Sequence, residues 1–273
     1  MWTDELVIRL RVATRVVVLS GAGISVASGI GTYRGPGGMW SDTELLAAHH
    51  ASALPGSLPV VWATKGALRA QLLRTEPNPA HRALVDLEGY LAGKGGELTI
   101  ATQNIDELHQ RAGSTQVLEL HGSVMRSRCS DRGCSLPPFH DETVPAEGEL
   151  PLCPRCRRHP LRPAIVLFEE NLPAKVVHQA KQAARLAEVM LVVGTSGVVF
   201  PAAGLVETAV SSGAYCALVN AEPWDFPHPG IAETLIGPAE QVLPRLVAAV
   251  TGTESEGTET GRYRGEGDFV EFG

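Results

Sequence analysis

Three groups of residues in this 273-residue chain have the types and spacing to do chemistry. The first is a set of cysteines. Cys129-x4-Cys134 and Cys153-x2-Cys156 form two pairs separated by 18 residues. Four thiolates at this spacing can close a tetrahedral S4 zinc site with no open coordination position, which implies a structural metal. The stretch between the pairs is rich in Pro, Asp and Glu and has no core of its own, a deficit that a bound ion would offset. Two disulfides or scattered buried thiols are the competing readings, and disulfides suit a cytosolic chain poorly. His140 and His159 lie close enough in sequence to replace a ligand. Cys216 stands in an apolar run and reads as core.

The second group is the loop "LSGAGISVASGIGTYRG", residues 19–35. It follows the apolar run Val16–Val18, and a glycine-rich loop at a strand end is a common phosphate cradle. The dehydrogenase fingerprint G-x-G-x-x-G is only half present. Gly21 and Gly23 supply two positions, but the third is Val26. The acid that should end a second strand is missing too, since Asp42 and Glu44 lie in a segment that reads as helix or loop. No Gly-Lys-Ser/Thr follows, so this is not a P-loop. Taken alone, the loop also fits a glycine turn that holds nothing.

The third group is "ATQNIDELHQRAG…VLELHGS". Gln103, Asn104 and Asp106 follow one strand and His121 ends the next. Adjacent parallel strands would bring these ends together, and histidine is the usual general base near neutral pH.

The elements that position these groups alternate. Strands are expected at Val16–Ser20, "ELTIATQ", "VLEL", "AIVLF", "VMLVVGTS" and "AYCALVN". Helical spacing covers "TELLAAHHA", "LPVVWATKGALRAQLLR", "NPAHRALVDLEGYLAG", "NIDELHQRAG", "AKVVHQAKQAARLAE", "PAAGLVETAVSSG" and "PAEQVLPRLVAAV". Asn78-Pro79 is a cap followed by a first-turn proline. Residues 129–156 read as irregular. Continuous apolar strands between helices imply an α/β fold with a parallel sheet covered on both faces. Ligands then sit at the carboxyl ends of the strands, where Ser20-Gly21, Thr102-Gln103, Gly194-Thr195-Ser196 and Val219-Asn220 fall.

Bulk properties narrow the class. The chain is 44% hydrophobic and carries a net charge of −7. Residues 251–273 hold six acids and two arginines, so most of that charge is in a tail that reads as disordered. The near-neutral body argues against direct nucleic-acid binding by charge alone. No apolar run reaches the roughly 18 residues needed to span a bilayer. The N-terminus lacks a signal-peptide pattern, so a cytoplasmic protein is expected. Arginine greatly outnumbers lysine, which points to a GC-rich bacterial genome.

With these residues in view, the chain resembles the sirtuins, NAD-dependent protein lysine deacylases. The motif G-A-G-[IV]-S-x-x-S-G-I-P-x-[FY]-R is present at Gly21–Arg34 with Gly31 in the proline position. T-Q-N-I-D is complete at Thr102–Asp106, and H-G is His121-Gly122. G-T-S is Gly194–Ser196, followed by Val198 and Pro201-Ala202, and V-N is Val219-Asn220. The cysteine pairs fall where that family has its zinc ribbon. The resemblance runs in order from about residue 8 to 250.

The resemblance implies a Rossmann-like large domain in residues 1–34, 78–125 and 164–250. A small domain would combine a helical part (35–77) and a zinc-ribbon part (126–163), leaving 251–273 as tail. It implies NAD as co-substrate, structural Zn2+ on Cys129, Cys134, Cys153 and Cys156, and an acylated-lysine protein or peptide as partner. In the implied reaction the acyl-lysine carbonyl oxygen attacks C1′ of the nicotinamide ribose and nicotinamide leaves. His121 would act as base, with Gln103 and Asn104 beside it at the reacting ribose. Gly21, Ala22, Gly23, Ser25, Tyr33, Arg34, Gln103, Asn104, Asp106, Gly194, Thr195, Ser196, Asn220 and Ala239 would bind the dinucleotide. Val166, Phe168 and Glu169 would meet the substrate.

Some positions depart from the family pattern. Gly31 replaces a proline and implies a more mobile loop. In "RPAIVLFEENLP" Leu167 stands for Trp and Glu169 for Gly, which bears on acyl and peptide specificity. Sirtuins that prefer acidic acyl groups carry Tyr-x-x-Arg on the following helix. Here those places fall on Lys65 and Leu68, which do not support that preference, although Lys65 or Arg69 could serve as a substitute cation. Leu167 and Glu169 also motivate an alternative, an ADP-ribosyltransferase or NAD glycohydrolase on the same site. A non-enzymatic zinc-ribbon binding module is the remaining reading, and the complete Gln-Asn-Asp-His set argues against it.

Overall fold

The computed structural model describes residues 2–33, 42–196, 204–225 and 228–253. Arg34, Val198, Pro201, Ala202 and tail residues 254–273 lie outside the described residues. The chain opens with helix α1 (Asp4–Val12) and strand β1 (Arg15–Ser20), then a 3-10 turn over Ala22–Ser28. Helices α2 (Thr43–Ala48), α3 (Leu58–Leu72) and α4 (Pro79–Gly93) lead to β2 (Glu97–Thr102), α5 (Leu108–Ala112) and β3 (Val117–Glu119). Next come β4 (Gly122–Cys129), β5 (Phe139–His140) and β6 (Leu161–Ile165). The last part holds α6 (Ala174–Leu186), β7 (Val189–Val193), α7 (Gly204–Ser211), β8 (Tyr215–Asn220), β9 (Ile231–Ile236) and α8 (Ala239–Thr251).

Six strands form one parallel sheet in the order β3-β2-β1-β7-β8-β9. This is the Rossmann order, in which the chain runs outward in opposite directions from the central pair β1 and β7. Of the central strands, β7 is apolar throughout and β1 is apolar from Val16 to Leu19, because both faces are covered. On one face Leu84, Leu87 and Leu91 of α4 meet Leu6 and Leu10 of α1 and Leu243 and Leu246 of α8. On the other, Ala180 and Ala184 of α6 and Leu205 and Ala209 of α7 pack on Val17, Leu19, Met190 and Val192.

A second, antiparallel sheet has the order β5-β4-β6. Leu58, Val61 and Trp62 of α3 pack against Cys129, Cys153 and Leu161 beside it. Arg69 of α3 is completely buried and holds this sheet through polar links. It donates to the carbonyls of Val124 (2.9 Å) and Thr143 (2.7 Å) and pairs with Asp141 at 3.1 Å.

The sequence patterns miss four elements. The helix α1 buries only Leu6, Val7 and Leu10 among charged neighbours. The strand β4 buries Ser123 and Ser127 where an alternating strand should bury apolar residues. The dipeptide β5 is too short to leave a pattern, and β9 is a half-exposed edge strand. The expected strand "AIVLF" is displaced: β6 starts at Leu161 and stops at Ile165. Arg162 and Pro163 look like strand breakers, but Arg162 is buried on Glu170 at 2.8 Å. Glu170 also accepts from Leu167 N (2.9 Å), which turns the chain away just after the strand. Among the described residues no helix is long and apolar enough to cross a membrane.

Candidate active site

The carboxyl ends of β1, β2, β7 and β8 open on one cavity of about 1070 Å³. It sits at the point where the strand order reverses, the place where such sheets bind ligands. Gly21, Ala22, Gly23, Tyr33, Gln103, Asn104, His121, Val166, Phe168, Glu169, Gly194, Thr195, Ser196, Asn220 and Ala239 all line it. Ser25 and Asp106 lie behind the wall, buried and bonded to each other at 2.7 Å. Asp42 caps α2 and Glu44 lies in its first turn, so neither ends a strand as the dehydrogenase pattern requires.

The glycine loop is fixed by a backbone crossing. Gly21 N donates to Val193 O (2.9 Å) and Gly23 N to Gly194 O (2.8 Å). A Cβ on Gly21 would stand 2.7 Å from Gly194 O, and one on Gly23 2.7 Å from Gly194 Cα. Gly194 itself has φ +60, and its Cβ would fall 2.4 Å from Ile24 N. These glycines are therefore demanded by the contact between the β1 and β7 loops, whatever ligand lies above them. Gly31 has open space where a side chain would go, so local packing does not require glycine there.

Behind the loop runs a buried polar chain. Asn104 Nδ2 donates to Gly21 O (3.1 Å) and Ser25 Oγ (3.2 Å), and Ser25 Oγ donates to Asp106. Burial raises the Asp106 pKa, against the bonds that it accepts from Leu108 N and Ser25. Burial also raises the Tyr33 pKa, helped by the Asp106 charge. Gln103 Nε2 donates to Thr195 Oγ1 (3.0 Å), tying the end of β2 to the β7 loop.

His121 follows β3, and the pairing of β2 with β3 brings it to Gln103, as the strand argument expects. Its Nδ1 lies 2.8 Å from Gln103 O. A carbonyl only accepts, so Nδ1 carries the proton and Nε2 keeps its lone pair. Burial lowers the His121 pKa, partly opposed by this hydrogen bond, so the neutral ring is favoured near pH 7. Gly122 has φ +73, and a Cβ there would be 2.2 Å from Ala164 O. The H-G pair thus lets β6 pass directly behind the histidine, and Val166 N donates to His121 O (2.9 Å).

The segment after β6 forms the far side of the cavity. Phe168 uses both backbone groups within the chain, donating to His49 O (3.0 Å) and accepting from Ala51 N (3.0 Å). Its ring stacks on His50 at 5.3 Å. Glu169 has φ 69, and its carboxylate turns back to accept from Ser52 Oγ (2.6 Å) and meet His50 Nδ1 (3.2 Å). Leu167 is buried with Ile30, Ile105 and Ile165. Among the proposed substitute cations, Arg69 is turned into the small sheet, whereas Lys65 lines the cavity. Ile105 of the T-Q-N-I-D motif lines it too, and sequence motifs gave no sign of His49 or Trp224, which also do. Trp224 Nε1 donates to Thr195 O (2.6 Å).

The metal set lies apart, at the far end of β4. The sulfurs of Cys129, Cys134, Cys153 and Cys156 all lie within 4.8 Å of one another. The pairs Cys129–Cys156 and Cys134–Cys153 are each 3.8 Å apart, too far for disulfides. Zn–S bonds of about 2.3 Å in a tetrahedron require sulfurs about 3.8 Å apart, so the four residues fit zinc. His140 contacts Glu142 and His159 approaches Asp131, and neither joins the group. Cys216 is buried in β8, as expected.

Residues 21–201 match the model of the Sir2 family. The chain belongs to this family. Among its Sir2-type relatives, NAD-dependent protein deacylase 1 of Pseudomonas aeruginosa is 40% identical over 240 residues, covering 86% of this chain and 94% of the relative. An NAD-dependent protein deacylase of Thermus thermophilus is 44% identical over 216 residues, covering 79% and 82%. A solved Sir2 homolog–NAD complex superposes with TM-score 0.82 at 34% identity, covering 93% of this chain and 95% of that one. A Sir2 variant bound to deacetylated p53 peptide and 3′-O-acetyl-ADP-ribose superposes with TM-score 0.78 at 31% identity, covering 91% and 98%.

Proposed function

We propose that this chain is an NAD-dependent protein lysine deacylase that passes the acyl group to ADP-ribose and releases nicotinamide. The observation that carries the reading is the placement of His121. Its ring is fixed on Gln103 at the strand ends, while its own carbonyl holds Val166 of the opposite wall. One neutral base thus shares a single cavity with the glycine loop and with Ile105, Leu167 and Phe168.

The remaining roles belong to the same reading. Gly21, Ala22, Gly23, Gln103, Gly194, Thr195, Ser196, Asn220 and Ala239 surround the dinucleotide, whose phosphates suit backbone N–H groups and the start of α8. Asn104, Ser25, Asp106, Tyr33 and Arg34 serve the nicotinamide end. Val166, Phe168 and Glu169 meet the peptide. The acyl carbonyl oxygen attacks C1′, and the C1′–nitrogen bond breaks with its electron pair leaving on nicotinamide. Nε2 of His121 takes a ribose hydroxyl proton, and the freed oxygen closes on the acyl carbon. Water then completes release of lysine and O-acyl-ADP-ribose. The low pKa of His121 keeps it ready to accept that proton.

In this reading residues 35–77 and 126–163 form the smaller lobe, with Zn2+ as its structural ion. Five cysteines without a disulfide, four of them placed to hold that ion, suit the reducing cytoplasm. His121→Ala should lower acetyl-peptide turnover by about 10²-fold or more, the scale of a lost general base, while NAD binding by calorimetry persists. Undiminished turnover would overturn the assignment. Nicotinamide release at full rate without any acyl peptide would instead favour the glycohydrolase or ADP-ribosyltransferase alternative.

A further inference from the structure

The tip of the small sheet carries charge that the proposed chemistry does not use. The turn Cys153–His159 holds Arg155, Arg157 and Arg158 and no acid. It is closed by Cys153 N on His159 O (2.9 Å), and its ends pair through Leu152 and Pro160. Arg155, Arg157 and Arg158 are exposed, and among the described residues their guanidiniums have no hydrogen bond or ion pair. Arg132, 76% exposed, lies on the facing turn between Cys129 and Cys134. The four sulfurs lie within 4.8 Å of one another, so the facing turns are held side by side. Asp131, next to Arg132, is occupied by Gly133 N (3.0 Å) and approaches His159 at 3.9 Å.

Like charges crowded on a rigid turn repel one another, and an anionic partner would offset that. The metal set does not need them as donors, because the Cys156 sulfur takes its hydrogen bonds from the backbone N–H groups of Arg158 and His159. The basic surface runs back to the cavity. Arg132 reaches Glu170 at 3.4 Å, and Glu170, already held by Arg162 at 2.8 Å, lines the cavity with Phe168 and Glu169. Arg128 lies among Glu170, Arg162 and Arg132. Glu169 is engaged elsewhere, with Ser52 and His50.

We infer that this tip is a docking surface for an acidic stretch of the substrate protein, to one side of the acylated lysine that enters the cavity. The inference rests on the deacylase reading and narrows its partners to proteins with Asp or Glu clustered near that lysine. Guanidinium forks match carboxylates in geometry as well as in charge. Nucleic acid fits less well. The chain has a net charge of −7, and residues 126–134 and 150–163 hold no aromatic side chain on which a base could stack.

The test uses acetyl-lysine peptides that differ only in a tract of glutamate or of glutamine. The tract begins about three residues from the lysine and covers about four, roughly 10–20 Å of extended chain, on one side or the other. NAD-dependent kcat and KM are measured for the metal-loaded wild type and for a triple variant, Arg155→Gln, Arg157→Asn and Arg158→Gln. Asparagine suits position 157 because Arg157 has φ 53. With the tract on one of the two sides, the wild type should show a KM about tenfold lower for glutamate than for glutamine, at equal kcat, and lose most of that difference in about 0.5 M salt. The variant should lose the preference while keeping its zinc content and its turnover of the glutamine peptide. No glutamate preference in the wild type, or a preference that the variant keeps, overturns the inference. If the triple variant does not hold zinc, the single variants replace it, each expected to raise the KM of the glutamate peptide about twofold. Duplex DNA that binds the wild type and not the variant, without any glutamate preference, would assign the tip to nucleic acid instead. Turnover without preference would defeat the docking surface alone, whereas no NAD-dependent removal of acetyl from any peptide would defeat the deacylase reading as well.

Discussion

In β7 of the parallel sheet all five residues are buried and apolar, whereas β4 of the small sheet buries Ser123 and Ser127 and keeps Gly122, Arg126 and Arg128 partly exposed. The first sheet has helices on both faces and loses little when a single group is trimmed. The second has α3 beside it, and four thiols and two buried arginines, Arg69 and Arg162, do much of the holding. Burial of area is spread over many residues, but a metal site or a buried ion fails as a unit. The two halves should therefore break under different insults.

Metal removal should have the largest effect. Chelation at neutral pH, or Cys153→Ser, should release the β4-β5-β6 sheet while the parallel sheet stays folded. Hydrogen exchange would show protection lost over residues 122–165 and kept in β1, β2, β7 and β8. Uniform protection after the ion has gone would mean that the apolar contacts of Trp62 and Leu161 suffice.

Acid should separate the halves in the opposite sense. His81 and His109 lie under the parallel sheet, ring centroids 5.0 Å apart, with His81 Nε2 and His109 Nδ1 lacking a hydrogen-bond partner. Burial lowers their pKa values to about 4 and about 3. The folded state therefore refuses protons that the unfolded chain accepts below about 6.5. Stability is full above that pH and drains away as pH falls toward 4, by about 1 kcal/mol per histidine per pH unit. Denaturant midpoints of the metal-loaded protein between pH 7.5 and 5 would measure this, and a flat profile would contradict it.

The smallest effect concerns a cap that serves the cofactor loop. Asn78 Oδ1 accepts from Ala80 N (2.9 Å), while its Nδ2 donates to Ile24 O (2.8 Å) and Ser28 Oγ (3.0 Å). Asn78→Asp keeps the acceptor that caps α4 and loses the donor to Ile24 O, while the Ser28 hydroxyl can turn to donate to the new carboxylate. The KM for NAD should rise about fivefold, as for one lost hydrogen bond, with kcat close to unchanged. A pure loss of melting temperature would confine Asn78 to the cap.

Much of the parallel sheet was legible in the sequence because its strands are apolar on both faces and its polar residues gather at the strand ends. Gln103, Asn104 and His121 could be brought together from the strand order alone. The cysteine spacing located the metal set for the same reason: few other arrangements use four thiols so closely placed. The small sheet was less legible because polarity inverts there. Ser127 and Arg162 look exposed in sequence, yet they are buried on Asp141 and Glu170. Lys65 was visible as a position, but its distinction from Arg69 was not. Four residues along a helix separate a side chain in the cavity from one in the sheet, and only the packing of α3 decides which is which.

The crossing of Gly21 and Gly23 over Gly194 has a consequence for the order in which this protein is made. The signature loop leaves the ribosome early, but the backbone on which it leans comes only after β7 has been synthesised and paired with β1. Such a distant contact closes late in folding. A nascent chain that ends before residue 189 would carry the complete G-A-G loop and T-Q-N-I-D and still have no floor under the dinucleotide.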